Sequence, residues 1–380
     1  MTPDPPLFLD GVPDEVIPGP RGRRRALGSD PFEDSARPDP FCELLEALPP
    51  VAARSRRLPA VRVAAAPRPG PVAPAAPEPA RRPGRRPAVG TRVPRLSELE
   101  DPPAEGLLGP LLAPEHRRRL TALAHLVEGG APYDRFGFSP DVTRRAFPIV
   151  HALYRAWFRV RSEGVEHLPA EGAAILAANH AGLLPFDGAM AVLDVVLRTD
   201  PPRLPRAVVD RWAGSLPFVN VLFARLGQVV GTRENFADLL DDGQLVLVFP
   251  EGMAGVLKRV TQRYRVQSFR TGFVELALER RVPIVPMAIV GSDDQAPILF
   301  DLQPVARALG LPALPITPTF PWLGPLGLMP LPVRYRIVYG EPMEFHRQFG
   351  PEGANDPRLV RYLSRQVRRR VQQLLDRGRG

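Results

Sequence analysis

Residues 173–188 read AAILAANHAGLLPFDG, and this stretch decides the fold because a buried-type strand passes directly into polar residues. The apolar run from Ala173 to Ala178 suits a strand that is covered on both faces. Asn179 and His180 follow it, and Asp187 opens the helix-like stretch that comes next. A histidine can take a proton near neutral pH, and a nearby carboxylate can fix its tautomer and stabilise its cation. The pair suits activation of a hydroxyl, while a helix N-cap at Asp187 and an ordinary loop histidine are the alternatives.

Short apolar runs alternate with helical patterns on both sides of this stretch, which predicts an α/β domain. Polar clusters follow several of these runs, at the strand ends where open α/β sheets bind ligands. The predicted strands are Phe158 to Val165, Ala173 to Ala178, Arg206 to Val209, Gln228 to Gly231, Leu245 to Phe249, Ile284 to Val290 and Val333 to Tyr339. The predicted helices start near Pro114 and span Ser139 to Phe158, Gly188 to Leu197, Leu216 to Leu226, Glu234 to Leu240 and Phe269 to Arg281.

The N-terminal third has a different composition. The segment from Val51 to Leu96 holds eleven arginines and ten prolines against one acid, Glu78. Such a stretch buries too little apolar surface to offset its chain entropy. Residues 1–114 are therefore predicted to be a disordered region rich in Pro, Arg and Ala, and residues 115–380 to form the folded domain. The arginine-rich part can bind acidic lipid head groups or nucleic acid without specificity, and no specific nucleic-acid partner is expected.

Cysteine usage and hydropathy limit the compartment. The single cysteine, Cys42, excludes an internal disulfide framework and a cysteine-based zinc site, and fits a reducing compartment. No secretory signal and no spanning helix is visible, since the uncharged stretch from Ile316 to Val333 contains five prolines. We expect a cytoplasmic protein that associates peripherally with the inner face of the plasma membrane.

Two amphipathic segments bear on that expectation. The helix predicted over Ser139 to Phe158 has an aromatic side with arginines nearby, which suits either a membrane interface or packing on the core. The segment from Asp356 to Arg377 predicts a basic amphipathic helix that either covers the domain or touches anionic lipid. The segment from Leu311 to Pro332 is rich in proline and apolar residues, and suits a hydrophobic lip or a packed surface loop.

Several chemistries are excluded by missing motifs. The chain has no G-x-S-x-G elbow, no phosphate-binding G-x-x-x-x-G-K-[ST] loop, no H-E-x-x-H and no G-x-G-x-x-G after a strand. No histidines fall close enough in sequence to suggest a metal pair, so no metal site is predicted. What remains is an ordered set of blocks: NHAGLLPFDG, then GQVVGTR ending at Arg233, then FPEG with Glu251 and Gly252, then VPIVPMAIVGSDD from Val282.

In this order the blocks resemble the glycerolipid acyltransferase family, which includes the lysophosphatidic acid acyltransferases. The first block is most similar to the branch that resembles monoacylglycerol and diacylglycerol acyltransferases. The resemblance covers about residues 140–345. It implies a single glycerol-phosphate-acyltransferase-like domain with a mixed, mostly parallel sheet flanked by helices.

The resemblance also implies roles for the site residues. His180 would be the general base that removes a proton from an acceptor hydroxyl, and Asp187 would orient it, as in a catalytic triad whose serine is replaced by the substrate hydroxyl. The remaining residues would bind substrate: Asn179, Arg233, Glu251, Gly252 and Lys258. The donor would be acyl-CoA or an acyl-carrier protein, used as co-substrate with no resident cofactor.

The chain departs from the family pattern at two places. Six residues separate His180 from Asp187 where four are usual, so the loop must bulge for the two to pair. Met253 and Ala254 follow FPEG where phosphate-using members carry a small polar and a basic residue, and Lys258 is the only lysine in the chain. The acceptor is accordingly either a lysophospholipid or lysophosphatidate, or a neutral mono- or diacylglycerol. A catalytically silent lipid-binding scaffold and a thioester or lipid hydrolase are the competing functions.

Overall fold

A seven-stranded sheet forms the centre of the protein. The computed structural model describes residues 93–102, 112–127, 131–182, 184–210, 218–308 and 313–380. The strands of the sheet are β1 (Arg161–Glu163), β2 (Ala174–Ala178), β3 (Arg206–Val209), β4 (Val229–Val230), β5 (Leu245–Val248), β6 (Ile284–Val290) and β9 (Arg336–Tyr339), and a separate pair is β7 (Phe300–Asp301) with β8 (Pro315–Ile316). Their order in the sheet is β1-β9-β6-β2-β5-β3-β4.

The pairing of the strands is mostly parallel. β2 lies between β5 and β6 and pairs in parallel with both, and β3 pairs in parallel with β5 and β4. β9 runs antiparallel to β6, and β1 runs parallel to β9. The predicted fold class, a mixed and mostly parallel sheet flanked by helices, is confirmed. β2 is central, so the residues that follow it lie in the middle of one sheet edge.

Helices cover both faces of the sheet. They are α1 (Pro114–Ala124), α2 (Pro140–Ala152), α3 (Phe186–Arg198), α4 (Val219–Arg225), α5 (Arg233–Asp241), α6 (Met253–Val256), α7 (Gly272–Arg280), α8 (Gln303–Ala308) and α9 (Pro357–Arg379). Apolar side chains of α1, α2 and α3 pack on one face, and those of α5, α7 and α9 pack on the other. This double cover explains why β2, β5 and β6 are buried at every position and read as continuous apolar runs.

The strand predictions hold for the seven strands of the main sheet. β3 and β6 have the predicted bounds, while β1 and β9 are shorter than their apolar runs. The pair β7 and β8 was not predicted. Each of these two strands has two residues, which is too short to produce a periodic pattern.

The structure decides between alternatives for the two amphipathic helices. The apolar side of α9 packs on β6 and β9, so this helix covers the domain. The other amphipathic helix, predicted over Ser139 to Phe158, is α2, which continues into a π-helical turn, Leu153–Trp157. Its aromatic residues Phe147, Tyr154 and Phe158 are buried in the core. Trp157 remains 37% exposed, so one aromatic of this region faces outwards.

The N-terminal prediction lies largely outside the described residues. Of residues 1–114 the structure describes 93–102 and 112–114, and this part contacts the domain. The backbone N–H of Leu96 donates to Asp200 at 3.0 Å, and Leu112 is buried against the sheet. In the part of the chain that the structure describes, no helix is long and apolar enough to cross a bilayer.

Candidate active site

His180 and Asp187 meet at the carboxyl end of β2. Nδ1 of His180 lies 2.6 Å from Oδ2 of Asp187, although six residues separate them. Asp187 is the second residue of α3, where the positive end of the helix dipole favours a carboxylate. Oδ2 also accepts from the backbone N–H of Ala181 at 3.0 Å, and Oδ1 accepts from that of Gly188 at 2.7 Å. The pairing that the spacing left open is present.

The bulge between the two residues is held by Gln295. Its Nε2 donates to the carbonyl of Ala181 at 2.7 Å, and its Oε1 accepts from the Tyr335 hydroxyl at 2.6 Å. Gly182 has a φ of +86°, and a Cβ there would lie 2.5 Å from Gln295 Nε2. A glycine is required here because the backbone is left-handed and the amide packs against it. The two extra residues are thus accommodated without moving Asp187 away from His180.

The imidazole of His180 is oriented on one side and open on the other. Its ring stacks on Phe249 with a centroid distance of 4.3 Å, and its side chain is 15% exposed. Among the described residues none forms a hydrogen bond with Nε2. With Nδ1 bound to a carboxylate, Nε2 is the nitrogen that can accept a proton from a substrate.

Asn179 supports the loop. The side chain is fully buried, its Oδ1 accepts from the backbone N–H of Ile289 at 2.7 Å, and its Nδ2 donates to the Ile289 carbonyl at 3.2 Å. This differs from the substrate contact predicted for Asn179, because both ends of the amide bind the neighbouring strand β6. The residue fixes where β2 ends and where His180 begins.

Glu251 holds the backbone of His180. Its Oε1 accepts from the N–H of His180 at 2.8 Å, and its Oε2 accepts from the N–H of Gln267 at 2.6 Å. The side chain is fully buried, so the acceptor contact predicted for it is replaced by a structural one. Burial raises the pKa of Glu251, and the nearby Lys258 opposes that increase.

Lys258 lies between two buried carboxylates. Its Nζ is 3.2 Å from Asp293 Oδ1 and 3.6 Å from Glu251 Oε2. Burial also raises the pKa of Asp293, again against the effect of Lys258. Lys258 does reach the site by a fold of the loop after FPEG, but its side chain is 2% exposed and paired, so it differs from the predicted substrate cation.

Two glycines let the third block approach His180. Gly252 has φ +54° and ψ −142°, a conformation that essentially only glycine adopts. A Cβ on Gly255 would lie 2.8 Å from Glu251 Cβ and 3.0 Å from the His180 carbonyl oxygen. The start of α6 therefore packs directly on the histidine, and Gly252 shapes the turn that brings it there.

Arg233 lies elsewhere on the sheet edge. It begins α5 after β4, three strands from β2, which corresponds to about 14 Å across the sheet. Its guanidinium forms ion pairs with Glu275, at 3.1 Å, and with Glu279, both on α7. The predicted acceptor contact of Arg233 thus differs from the structure, where the residue joins two helices.

An apolar groove opens beside the loop of His180 and Asp187. Its volume of about 380 Å³ consists largely of space that is open to solvent, so it is a surface groove and not an enclosed cavity. Gly182, which lies in the loop between His180 and Asp187, and Gln295 form its boundary with that loop. Its apolar lining includes Leu184, Phe186, Ile298, Pro315, Leu328 and Pro330.

Sequence reasoning missed Gln295, Asp293, Phe249 and Gly255. Asp293 lies in the fourth block, and Gln295 follows that block by one residue, so both could have been suspected as polar residues after a buried strand. Phe249 is the first residue of the FPEG block and Gly255 follows the block by three residues, and only their contacts reveal them. In the described part of the chain no group of three or more His, Cys, Asp or Glu side chains could hold a metal ion.

Comparison with known proteins identifies the family of this chain. The family described as Acyltransferase matches residues 159–290, the span from β1 to β6 that carries His180, Asp187 and Glu251. An uncharacterized protein of Mycobacterium tuberculosis strain ATCC 25618 / H37Rv is 41% identical over 263 residues, which cover 68% of this chain and 71% of the relative. The chain belongs to the acyltransferase family, and the prediction of an acyltransferase enzyme is confirmed.

Two further similarities are more distant. The human protein "DGAT1/2-independent enzyme synthesizing storage lipids" is 24% identical over 227 residues, covering 58% of this chain and 62% of that protein. The crystal structure of the 1-acyl-sn-glycerophosphate acyltransferase PlsC from Thermotoga maritima matches with 19% identity and a TM-score of 0.38, covering 62% of this chain and 87% of that chain.

Proposed function

We propose that this enzyme moves a fatty acyl group from a thioester, acyl-CoA or acyl-carrier protein, to the hydroxyl of a glycerolipid. The observation that supports this best is the His180–Asp187 pair, in which Nε2 forms no hydrogen bond with a described residue and whose loop borders an apolar groove through Gly182. The groove suits an acyl chain because it is lined mainly by apolar side chains. The thioester is a co-substrate, so the reaction needs no resident cofactor.

In the proposed reaction, Nε2 of His180 removes the proton of the acceptor hydroxyl as its oxygen attacks the thioester carbonyl. The new C–O bond forms and the C–S bond breaks, and the imidazolium gives its proton to the leaving thiolate, which releases the free thiol and restores neutral His180. Asp187 keeps Nδ1 protonated and stabilises the cation that forms between these steps. Acyl transfer is direct, with no acyl-enzyme.

A neutral acceptor, a mono- or diacylglycerol, is our preferred substrate. The two cations predicted to bind an acceptor phosphate are both occupied, because Lys258 is buried between two carboxylates and Arg233 is paired with two glutamates. The similarity to the human storage-lipid enzyme supports the same choice. A lysophospholipid or lysophosphatidate acceptor is the alternative.

The silent-scaffold alternative was based on the spacing between His180 and Asp187. The 2.6 Å contact removes that argument, because the two side chains pair in spite of the longer loop. We also propose a cytoplasmic enzyme working peripherally on the inner face of the plasma membrane, since its acceptor is a membrane lipid.

The test is acyl transfer by the purified full chain, measured as thiol release from acyl-CoA and as ester product. The acceptors would be monoacylglycerol, diacylglycerol, lysophosphatidate and a lysophospholipid, offered separately. We expect His180→Ala to lower acceptor-dependent thiol release by about 10³-fold. His125→Ala, which changes an exposed histidine directly after the end of α1, is the matched control.

Two results would contradict the proposal. Equal rates for His180→Ala and wild type would exclude His180 as the base. Thiol release that is as fast without acceptor as with it would identify a hydrolase instead. A preference for lysophosphatidate over the neutral lipids would reverse our choice of acceptor while leaving acyl transfer in place.

A further inference from the structure

Four large apolar side chains project from the domain within one short segment, residues 317–330, which we call the lip. Trp322 is 77% exposed, Leu323 59%, Leu326 73% and Met329 47%. A contiguous exposed set of this kind marks an interaction surface more often than chance exposure of single residues does. Its tryptophan is the residue type that membrane proteins place at the bilayer interface.

The lip is a built structure and not a loose loop. Thr317 Oγ1 accepts from the backbone N–H of Phe320 at 2.9 Å, and the Thr319 hydroxyl donates to the Gly327 carbonyl at 2.9 Å. Gly327 packs so closely that a Cβ there would lie 2.4 Å from the Thr319 carbonyl oxygen. The turn therefore holds its apolar side chains outwards in water. This exposure is unfavourable, and burying the same side chains in an apolar environment would remove its free-energy cost.

The lip is fixed to the arginine-rich end of α2. The indole N–H of Trp157 donates to the Pro330 carbonyl at 3.1 Å, and the Arg159 guanidinium donates to that of Pro332 at 2.7 Å. Trp157 is itself 37% exposed, so it extends the apolar surface from the lip towards this helix.

The two segments that form this surface, the lip and the end of α2, contain no acidic residue. Residues 302–340 contain no Asp or Glu, and residues 143–162 contain five arginines and no acid. Arg145 and Arg155 are exposed, and no carboxylate of the described residues forms an ion pair with either. An apolar tip joined to a helix that carries unpaired guanidiniums is complementary to a bilayer that carries anionic head groups.

The lip also forms one wall of the groove beside His180. Gly327, Leu328 and Pro330 line the groove, while Trp322, Leu323 and Leu326 face outwards from the same turn. We propose that the lip inserts into the interface of an anionic bilayer, so that the groove opens towards lipid. This inference rests on the proposed function and adds the surface through which the enzyme meets its lipid substrate.

The test is co-sedimentation of the full chain with vesicles of phosphatidylcholine alone or mixed equally with phosphatidylglycerol. The arginine-rich N-terminal segment is present in every variant, and its attraction to anionic lipid is screened by salt. We therefore compare the binding that survives high salt. Leu326→Asp should lower the partition of the protein onto vesicles at high salt by about tenfold or more, because an inserted leucine is lost and a charge is added.

The matched control is Tyr362→Asp, which places the same charge on an exposed residue of α9, on the opposite face of the sheet. It should bind vesicles like wild type. Trp322→Phe gives an independent readout, since brominated lipid should quench less of the tryptophan fluorescence in this variant than in wild type. Exchange of Arg145 and Arg155 for Gln should weaken binding to the mixed vesicles at low salt and leave binding to pure phosphatidylcholine unchanged.

Equal losses in Leu326→Asp and Tyr362→Asp, or equal quenching in Trp322→Phe and wild type, would overturn the proposal. Activity towards a water-soluble short-chain acceptor separates it from the proposed function. Leu326→Asp should keep wild-type turnover of that acceptor, and a loss there would place the lip in the chemistry instead of at the membrane. Inactive wild-type enzyme with the expected vesicle binding would refute the acyl-transfer proposal alone.

Discussion

Glu251 accepts a hydrogen bond from the backbone N–H of His180 at 2.8 Å, which joins two sequence blocks that lie 71 residues apart. Because the contact is to the backbone, Glu251 sets the position of His180 and leaves the imidazole free to meet substrate. Gln267 binds the second oxygen of the same carboxylate at 2.6 Å, so both oxygens are used. The first four predictions below concern the groups around this contact.

Asp187→Asn should reduce kcat by about 10³- to 10⁴-fold with little change in KM. An amide at this position cannot hold the histidine in the same tautomer or stabilise its cation. The kinetic constants would be measured with saturating acyl-CoA. The thermal midpoint serves as control, because Asp187 also binds the N–H groups of Ala181 and Gly188. Wild-type kcat in a folded variant would show that the pair plays no part in the reaction.

Lys258→Met should destabilise the protein by about 3–5 kcal/mol in urea unfolding, because two buried carboxylates lose their cation. Adding Asp293→Asn in the same chain should recover a large share of the loss. If the double variant is no more stable than the single one, the three side chains do not act as a charge cluster.

The loss of unfolding free energy caused by Lys258→Met should depend on pH. Burial raises the pKa of Glu251 and of Asp293, so the folded protein keeps their protons at pH values where the unfolded chain has released them. Their contribution is most favourable below the ordinary carboxyl range and is lost as pH rises through the raised pKa values. Urea unfolding measured from neutral pH down to about pH 4 should therefore show a smaller difference in unfolding free energy between Lys258→Met and wild type at the lower pH values. A constant gap would mean that the carboxylates do not titrate in this way.

Gly255→Ala should lower both stability and activity, since the added methyl group would meet Glu251 Cβ at 2.8 Å and the His180 carbonyl at 3.0 Å. We expect a loss of about 1–3 kcal/mol and at least a tenfold fall in kcat, because the histidine must shift. The control is Ala254→Ser, which adds one atom at the neighbouring exposed position of α6. Similar kcat values for the two variants would argue against close packing at Gly255.

Arg233→Ala should lower the free energy of unfolding by about 1 kcal/mol, because the ion pairs that join α5 to α7 are partly exposed. Its KM for phosphorylated and for neutral acceptors should change by the same factor. A selective increase in KM for lysophosphatidate would instead place Arg233 in the acceptor site. The comparison uses the acceptors already described, with stability measured in urea.

The sequence by itself determined the layers of the fold. Runs such as Ile284 to Val290 are apolar at every position because helices cover both faces of the sheet, and that pattern can be read without a structure. The order of the polar blocks placed His180, Asp187 and Glu251 at strand ends in the same way. The short strands β7 and β8 were not predicted, because two residues are too few to show a periodic pattern.

Tertiary structure alone decided what each polar residue touches. His180 and Asp187 form a pair although six residues separate them. Gln295, which is 114 positions from Ala181 in the sequence, binds the loop between them and holds it in place. Lys258 and Arg233 were plausible substrate cations, and both are paired with carboxylates that no local pattern connects to them. Spacing along the chain fixes which strand end a side chain leaves from, whereas its hydrogen bonds depend on elements that only folding brings together.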